Sequence, residues 1–107
     1  MSESLQELGR FAEPSLYILV ALSEGPRHGY AIMSDVETIS GRQMGAGTLY
    51  GALARLERRG LIQALEPQER RRPYKLTAFG ARTLEGQLSR LRSFADMGLA
   101  RLRGRTT

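Results

Sequence analysis

Apolar residues recur at helical spacing in three successive blocks of the chain. Residues 13–24 are so apolar that we expect a buried helix there, with residues 4–12 adding a further turn or two. Residues 29–40 carry one apolar stripe and end before a glycine, which predicts a second helix. From residue 46 or 47 to residue 59, leucine recurs at i, i+4 and i+7, and Gly60 follows. This pattern predicts a third helix that ends in a glycine cap.

The periodicity changes after the third block. Residues 61–65 and 74–77 are short strand candidates. The segment between them is polar and holds Pro67 and Pro73. Two short strands around a polar tip predict a β-hairpin.

The last block predicts a helix that is too long for its own domain. Thr77 is a candidate N-cap, and the apolar residues that follow it have a spacing close to a heptad. A helix from residue 78 to about residue 101 would be about 36 Å long. An apolar stripe on such an overhanging helix needs a partner, and the simplest partner is the same helix of a second copy. The residues expected at this dimer seam are Leu84, Leu88, Leu91, Phe94, Ala95 and Leu102.

The order of elements predicts a mainly α (α+β) fold. Three helices and a hairpin form a winged helix-turn-helix with a two-stranded β wing, and the long C-terminal helix follows. We expect residues 1–77 to form a DNA-binding domain and residues 78–107 to form a dimerisation helix within the same compact unit.

Composition narrows the classes of function. A chain of 107 residues with 41% apolar and 25% charged residues fits one folded domain. It has no cysteine and a single histidine, His28, so we expect no metal site, no cofactor and no catalytic constellation. The chain starts with acidic residues, so we expect no signal peptide there, and its longest apolar run, residues 16–22, is too short to cross a bilayer. We therefore expect a cytoplasmic, nucleoid-associated protein with no membrane partner.

Positive charge is concentrated in the middle of the chain. Residues 1–41 carry a net charge of −4, whereas residues 42–75 carry +5 and residues 76–107 carry +4. A basic segment in a small domain suits a polyanionic partner, although a solvated basic face has the same composition. We therefore expect double-stranded DNA as a partner.

Candidate DNA contacts follow from the winged-helix geometry. The third helix of such a fold lies in the major groove and presents its N-terminal side chains to the bases, while basic residues of the wing reach phosphates. On this basis the candidates are Arg42, Gly47, Thr48, Tyr50, Arg55, Arg70, Arg71, Arg72 and Lys75. A capping role for Thr48, a solubilising role for the three wing arginines and an exposed strand position for Lys75 are the structural alternatives.

Three linked runs of sequence carry a family resemblance. They are ALSEGPRHGYAI at residues 21–32; GTLY at 47–50 with Leu53, RLE at 55–57 and GLI at 60–62; and RPYKLT at 72–77 with Gly80. Together these runs resemble the PadR-type regulators, from residue 15 to about residue 80. The sequence departs from that pattern at Gly45-Ala46, where the family often has Ser-Pro, and in a wing without the usual glycines.

The resemblance implies a dimeric winged-helix repressor whose last helix builds the dimer. It also implies that Tyr30 contacts a phosphate, with a core or hinge tyrosine as the alternative. In many members a small molecule, often aromatic, relieves repression. Leu91, Phe94 and Met97 would line such an effector site at the dimer centre, or they simply pack the seam. The chain has no tryptophan for stacking a flat ligand.

One other class of function remains open. A winged helix also serves as a protein-interaction adaptor that does not recognise DNA sequence, with the long helix docking another protein. DNA binding at low salt separates this adaptor from a regulator of transcription.

Overall fold

The computed structural model describes residues 13–105, which form four helices and three strands. The elements are α1 (Glu13–Leu22), β1 (Arg27–His28), α2 (Gly29–Ser40), α3 (Ala46–Arg58), β2 (Ile62–Ala64), β3 (Pro73–Leu76) and α4 (Ala78–Arg105). This order confirms the winged-helix prediction, and α4 runs a turn further than expected. The extra helical turns expected in residues 4–12 lie outside the described residues. No helix within the described range has both the length and the apolar content needed to cross a membrane.

The wing is a three-stranded sheet rather than the two-stranded hairpin expected from the sequence. Its order is β1-β3-β2, and both pairings are antiparallel. Strand β1 pairs Arg27 with Tyr74 and His28 with Pro73. A strand of two residues has no periodicity to detect, so the sequence pattern gave no sign of it. Its effect is to join the start of α2 directly to the wing.

The hydrophobic core lies among the first three helices. Helix α1 is central and contacts α2, α3, α4 and β3. The largest fully buried side chains are Ile18, Leu22, Ile32, Val36, Leu49, Leu53 and Ile62. From α4, Leu84 also joins this core. We call the part of the molecule that surrounds this core the head; it comprises α1 to α3, the sheet and the start of α4. The core fixes α3 against α1.

Helix α3 ends in the hydrogen-bond pattern of a Schellman motif. Gly60 has the left-handed φ of 76° and donates its N–H to the carbonyl of Glu57 at 3.0 Å. The N–H of Leu61 donates to the carbonyl of Leu56, also at 3.0 Å. Leu61 is buried, so the end of α3 is fixed by main-chain bonds and by packing. This confirms the glycine cap predicted at Gly60.

Helix α4 begins at a tight joint with the end of α3. The Thr77 hydroxyl accepts from the N–H of Gly80 at 2.9 Å, which confirms Thr77 as the N-cap, and donates to the carbonyl of Gly60 at 2.6 Å. The N–H of Thr77 donates to the carbonyl of Leu61 at 3.1 Å. A Cβ at Gly80 would overlap that same carbonyl, so only glycine permits this approach. The start of α4 is thus fixed to the end of α3 through backbone atoms and the Thr77 hydroxyl.

Most of α4 projects away from the head. The molecule is 59 Å long but only 29 Å and 21 Å across. Every residue from 88 to 104 is exposed.

Candidate nucleic-acid interface

Helix α3 has one buried face and one open face. Leucine and alanine side chains bury the first face: Leu49, Ala52, Leu53 and Leu56. Thr48 and Arg55 are exposed on the opposite side, and Tyr50 is 51% exposed. The face that a groove-reading helix needs is therefore free of contacts that would cover it from within the described chain.

The start of α3 is a sterically open helix terminus. Gly45 is the N-cap residue and has no side chain to bond the first amides of the helix. A Cβ at Gly45 or Gly47 would meet no atom within 4 Å. Arg42 and Thr48 border the same small cavity beside this terminus. A sugar-phosphate backbone can approach such a terminus closely, and the helix dipole favours its charge.

An aromatic and basic cleft joins α2, α3 and the wing. Tyr30 from the first turn of α2, Tyr50 from α3 and Tyr74 from β3 line it together with the wing arginines at residues 70–72. The cleft has a volume of about 380 Å³. The structure therefore brings together five of the predicted contact residues: Tyr30, Tyr50, Arg70, Arg71 and Arg72.

The tip of the wing is a two-residue turn in a strained conformation. Gln68 and Arg71 exchange two backbone hydrogen bonds of 2.6 Å and 2.8 Å. Glu69 and Arg70 between them have φ values of 50° and 69°. A type I′ hairpin turn needs both residues in this left-handed region, which usually selects asparagine and glycine. The turn holds Arg70 at the outermost point of the hairpin.

The three wing arginines have different surroundings. Arg72 donates from Nη1 to the carbonyl of Leu65 at 3.2 Å, so part of its role is to tie the two sides of the hairpin. Nη1 of Arg71 lies 3.3 Å from Nε2 of His28. Arg70 and Arg71 are exposed, and both are therefore accessible to phosphates.

His28 connects the wing to α2. It is the N-cap residue of α2, and its Nδ1 accepts from the N–H of Ala31 at 3.4 Å. His28 is therefore a helix-start residue. Strand β1, to which it belongs, places its other ring nitrogen beside Arg71.

Tyr74 is a lining residue that the sequence analysis missed. Burial raises the pKa of its hydroxyl above the usual 10.0, the negative charge of Glu57 and the neighbouring Tyr50 raise it further, and Arg72 opposes them. Tyr74 alternates with the exposed Lys75 along β3, and this period of two is the signal that would have placed it on the inner side.

Two predicted contacts lie apart from both the cleft and the start of α3. Lys75 points to the other side of β3 and borders a groove between the end of α1 and the start of α4. Arg55 lies further along α3, where its Nη1 is near Gly51. The structure therefore does not group these two with Tyr50.

The residues expected at the dimer seam also fall into two groups. Leu84 is 5% exposed and belongs to the core of its own chain, so its side chain is not available to a second copy. Leu88, Leu91, Phe94, Met97 and Leu102 are between 42% and 75% exposed. Ala95 is exposed as well. The apolar surface of α4 thus begins after Leu84.

No group of three or more metal-ligating side chains is present in the part of the chain that the structure describes. The cleft instead offers tyrosine hydroxyls and guanidinium groups. These groups bind phosphates and base edges.

Comparisons with known proteins agree with this geometry. The sequence profile of the transcriptional regulator PadR-like family matches residues 18–86. Over 96 residues the chain is 43% identical to an uncharacterized 37.1 kDa protein in transposon TN4556 of Streptomyces fradiae, a match that covers 90% of this chain and 26% of that protein. The chain thus spans about a quarter of the length of that curated relative.

Solved structures show the same fold. A PadR family transcriptional regulator from Eggerthella lenta DSM 2243 is 27% identical, with a TM-score of 0.71, and the match covers 94% of this chain and 89% of that one. RosR of H. salinarum is 31% identical, with a TM-score of 0.69, over 75% of this chain and 73% of the other.

Proposed function

Because this chain belongs to the PadR-like family of transcriptional regulators, we propose that two copies of it bind a pseudo-palindromic duplex and repress transcription. Regulators of this family act by binding DNA rather than by catalysis, which confirms that this domain is not an enzyme. In the proposed complex, the α3 helices of the two copies enter successive major grooves about one helical turn apart.

One observation carries the proposal: the open face of α3 and the basic wing meet at a single cleft. Thr48 and Tyr50 are exposed on the helix that would read base edges. Arg70 and Arg71 line the same cleft as Tyr50, where they would hold the flanking phosphates. Tyr30 lines the same cleft and would add a hydroxyl contact to the backbone. Arg42 and Gly47 would meet the backbone at the start of α3, with Arg55 further along the groove and Lys75 at its margin.

The dimer is proposed from the exposed surface of α4. Leu88, Leu91, Ala95 and Leu102 follow a heptad, and Gly98 completes the series. All of them lie in the exposed stretch beyond Leu84. A second α4 would bury this stripe, with Phe94 at its flank. Residues 78–107 would then form the dimerisation helix, and residues 1–77 the DNA-binding domain.

We further propose that a small hydrophobic effector, aromatic in many relatives, relieves repression from the dimer centre. Leu91, Phe94 and Met97 would line its site. Such a ligand must bind the two arrangements of the heads with different affinity, since otherwise it shifts nothing. The protein would act in the cytoplasm, associated with the nucleoid.

An anisotropy titration tests the proposal. Duplex DNA from upstream of the gene is compared with a shuffled duplex at several salt concentrations. We expect binding about 10³-fold tighter or more to a subset of the upstream DNA. We also expect Arg71→Ala to weaken both duplexes alike and to reduce the salt slope by about 1. Arg90→Ala, which removes the same charge from α4, is the matched control. It should leave unchanged the part of the salt dependence of DNA affinity that comes from the wing.

The competing adaptor function makes the opposite forecast. An adaptor would show no preference between the two duplexes at any salt concentration. That result would overturn the regulator proposal.

A footprint on the upstream region, repeated with aromatic compounds, tests the proposed effector. The compound should abolish protection by the wild type, whereas protection by Phe94→Ala should be retained.

A further inference from the structure

Gly29 lies directly against the hydroxyl end of the Tyr50 side chain. A Cβ at Gly29 would overlap the Tyr50 hydroxyl and would lie 2.9 Å from Cζ and 3.1 Å from Cε1. Gly29 is buried, whereas Tyr50 remains 51% exposed. The hydroxyl end of the phenol therefore contacts the first turn of α2, while about half of the Tyr50 surface stays exposed to solvent.

The backbone of Gly29 gives no other reason for a glycine. Gly29 is not among the positive-φ glycines of the described chain, which are Gly25, Gly41 and Gly60. It stands at the first position of a helix, where alanine is the better helix former. What glycine supplies at this position is space, and the Tyr50 ring occupies it.

We propose that Gly29 is a positioning residue that sets the direction in which Tyr50 reads DNA. This inference rests on the proposed function. A tyrosine on an exposed helix face has several rotamers, and fixing one of them on binding costs entropy. Contact with α2 limits that choice before DNA arrives. The recognition side chain is thus oriented by an element that does not enter the groove.

The clash that a side chain would create is one the fold tolerates. The nearest atoms belong to the far end of the Tyr50 side chain rather than to backbone. Gly29→Ala should therefore move the ring and leave the packing of α2 in place. We expect the ratio of affinities for cognate and shuffled DNA to fall about five- to tenfold, within the range of one base contact. Thermal unfolding checks that the variant is folded.

A mutant cycle separates positioning from a general structural effect. In a Tyr50→Ala background, Gly29→Ala should change the affinity ratio no further. In a Tyr50→Phe background its effect should shrink, because the hydroxyl is the nearest atom to the added methyl. Gly86→Ala on α4, where the nearest atom is Arg90 Nη1 at 3.7 Å, is the control and should leave the ratio unchanged.

A readout without DNA completes the test. In wild type, NMR should show a nuclear Overhauser effect between the Tyr50 ring and the Gly29 α-protons, and Gly29→Ala should shift the Tyr50 ring resonances. A discriminating wild type whose Gly29→Ala variant discriminates equally well would overturn this inference alone, as would equal losses in the Tyr50→Ala background. A wild type without any DNA preference would overturn the proposed function, and this inference with it.

Discussion

His28 has two neighbours that a neutral imidazole cannot hydrogen-bond at the same time. If Nδ1 accepts from Ala31, the ring proton is on Nε2, and the guanidinium of Arg71 at 3.3 Å then faces a donor. If Arg71 donates to Nε2 instead, the cap on α2 is lost. One contact is therefore made at the expense of the other. With the cap formed, Arg71 is available to a phosphate.

The cap contributes stability that mutation can measure. We expect His28→Ala to lower the free energy of unfolding by about 0.5–1 kcal/mol, at the low end for an N-cap because the bond is long at 3.4 Å. Urea unfolding near pH 8 gives the value. His28→Asn restores a capping oxygen and should recover most of the loss. Equal destabilisation by both variants would mean that the ring acts through packing alone.

Tyr74 gives the protein a pH dependence in the alkaline range. Its raised pKa means that the folded state holds the phenolic proton more tightly than the unfolded chain does. The resulting stability is fully present below pH 10.0 and is lost as the pH rises through the higher folded value. Above pH 10 the unfolding free energy of the wild type should therefore fall relative to that of Tyr74→Phe, which has no phenolic proton to lose. Parallel pH profiles for the two proteins would contradict the effect of burial.

At the scale of the element, the wing tip stores strain. Glu69 has a left-handed backbone, which costs a residue with a side chain about 1 kcal/mol. Glu69→Gly should therefore raise the free energy of unfolding by about that amount. It should also tighten binding to any duplex, because it removes an acidic group from the basic tip. Thermal unfolding and anisotropy check the two effects.

Arg70→Gly is the matched partner of that variant. It relieves the same kind of strain at φ 69° but removes a cation. We expect a similar gain in stability together with weaker DNA binding. If neither variant changes stability, the turn is not strained in solution.

The elements differ in how far the sequence could predict them. Long blocks with strong periodicity gave α1 to α4 with ends correct to within a few residues, and Gly60 and Thr77 identified two caps from their residue types. Strand β1 could not be predicted, since pairing with β3 creates it and two residues carry no pattern. The contact between Tyr50 and Gly29 likewise joins parts of the chain that are distant in sequence, so no local pattern predicts it. Heptad spacing placed Leu84 at the dimer seam. The first turns of α4 instead pack against the core, and Leu84 is buried there.

At the scale of the whole molecule, the proposed dimer depends on the exposed half of α4. Leu91 lies on the heptad stripe, and Ser93, two residues on, lies near the opposite side of the helix. Leu91→Glu should convert the dimer to a folded monomer, because the core of the head ends at Leu84. Ser93→Glu carries the same charge and should remain dimeric. Sedimentation velocity distinguishes the two masses, and a dimeric Leu91→Glu protein would place the interface elsewhere.

Loss of the dimer should also change DNA binding. A monomer contacts one half-site, so its affinity should fall while its preference for that half-site remains. Circular dichroism establishes that the head is intact in the same sample.

The joint at Thr77 and Gly80 connects α4 to the end of α3 through backbone groups and one side-chain hydroxyl, that of Thr77. The α4 axis is aligned by carbonyl and amide groups, by the Thr77 hydroxyl and by the missing methyl at Gly80. If the proposed function holds, the bases read by α3 and the partner bound by α4 would therefore be free to diverge independently. A hybrid made by exchanging everything after this joint between two related proteins should inherit its operator from one parent and its oligomerisation preference from the other.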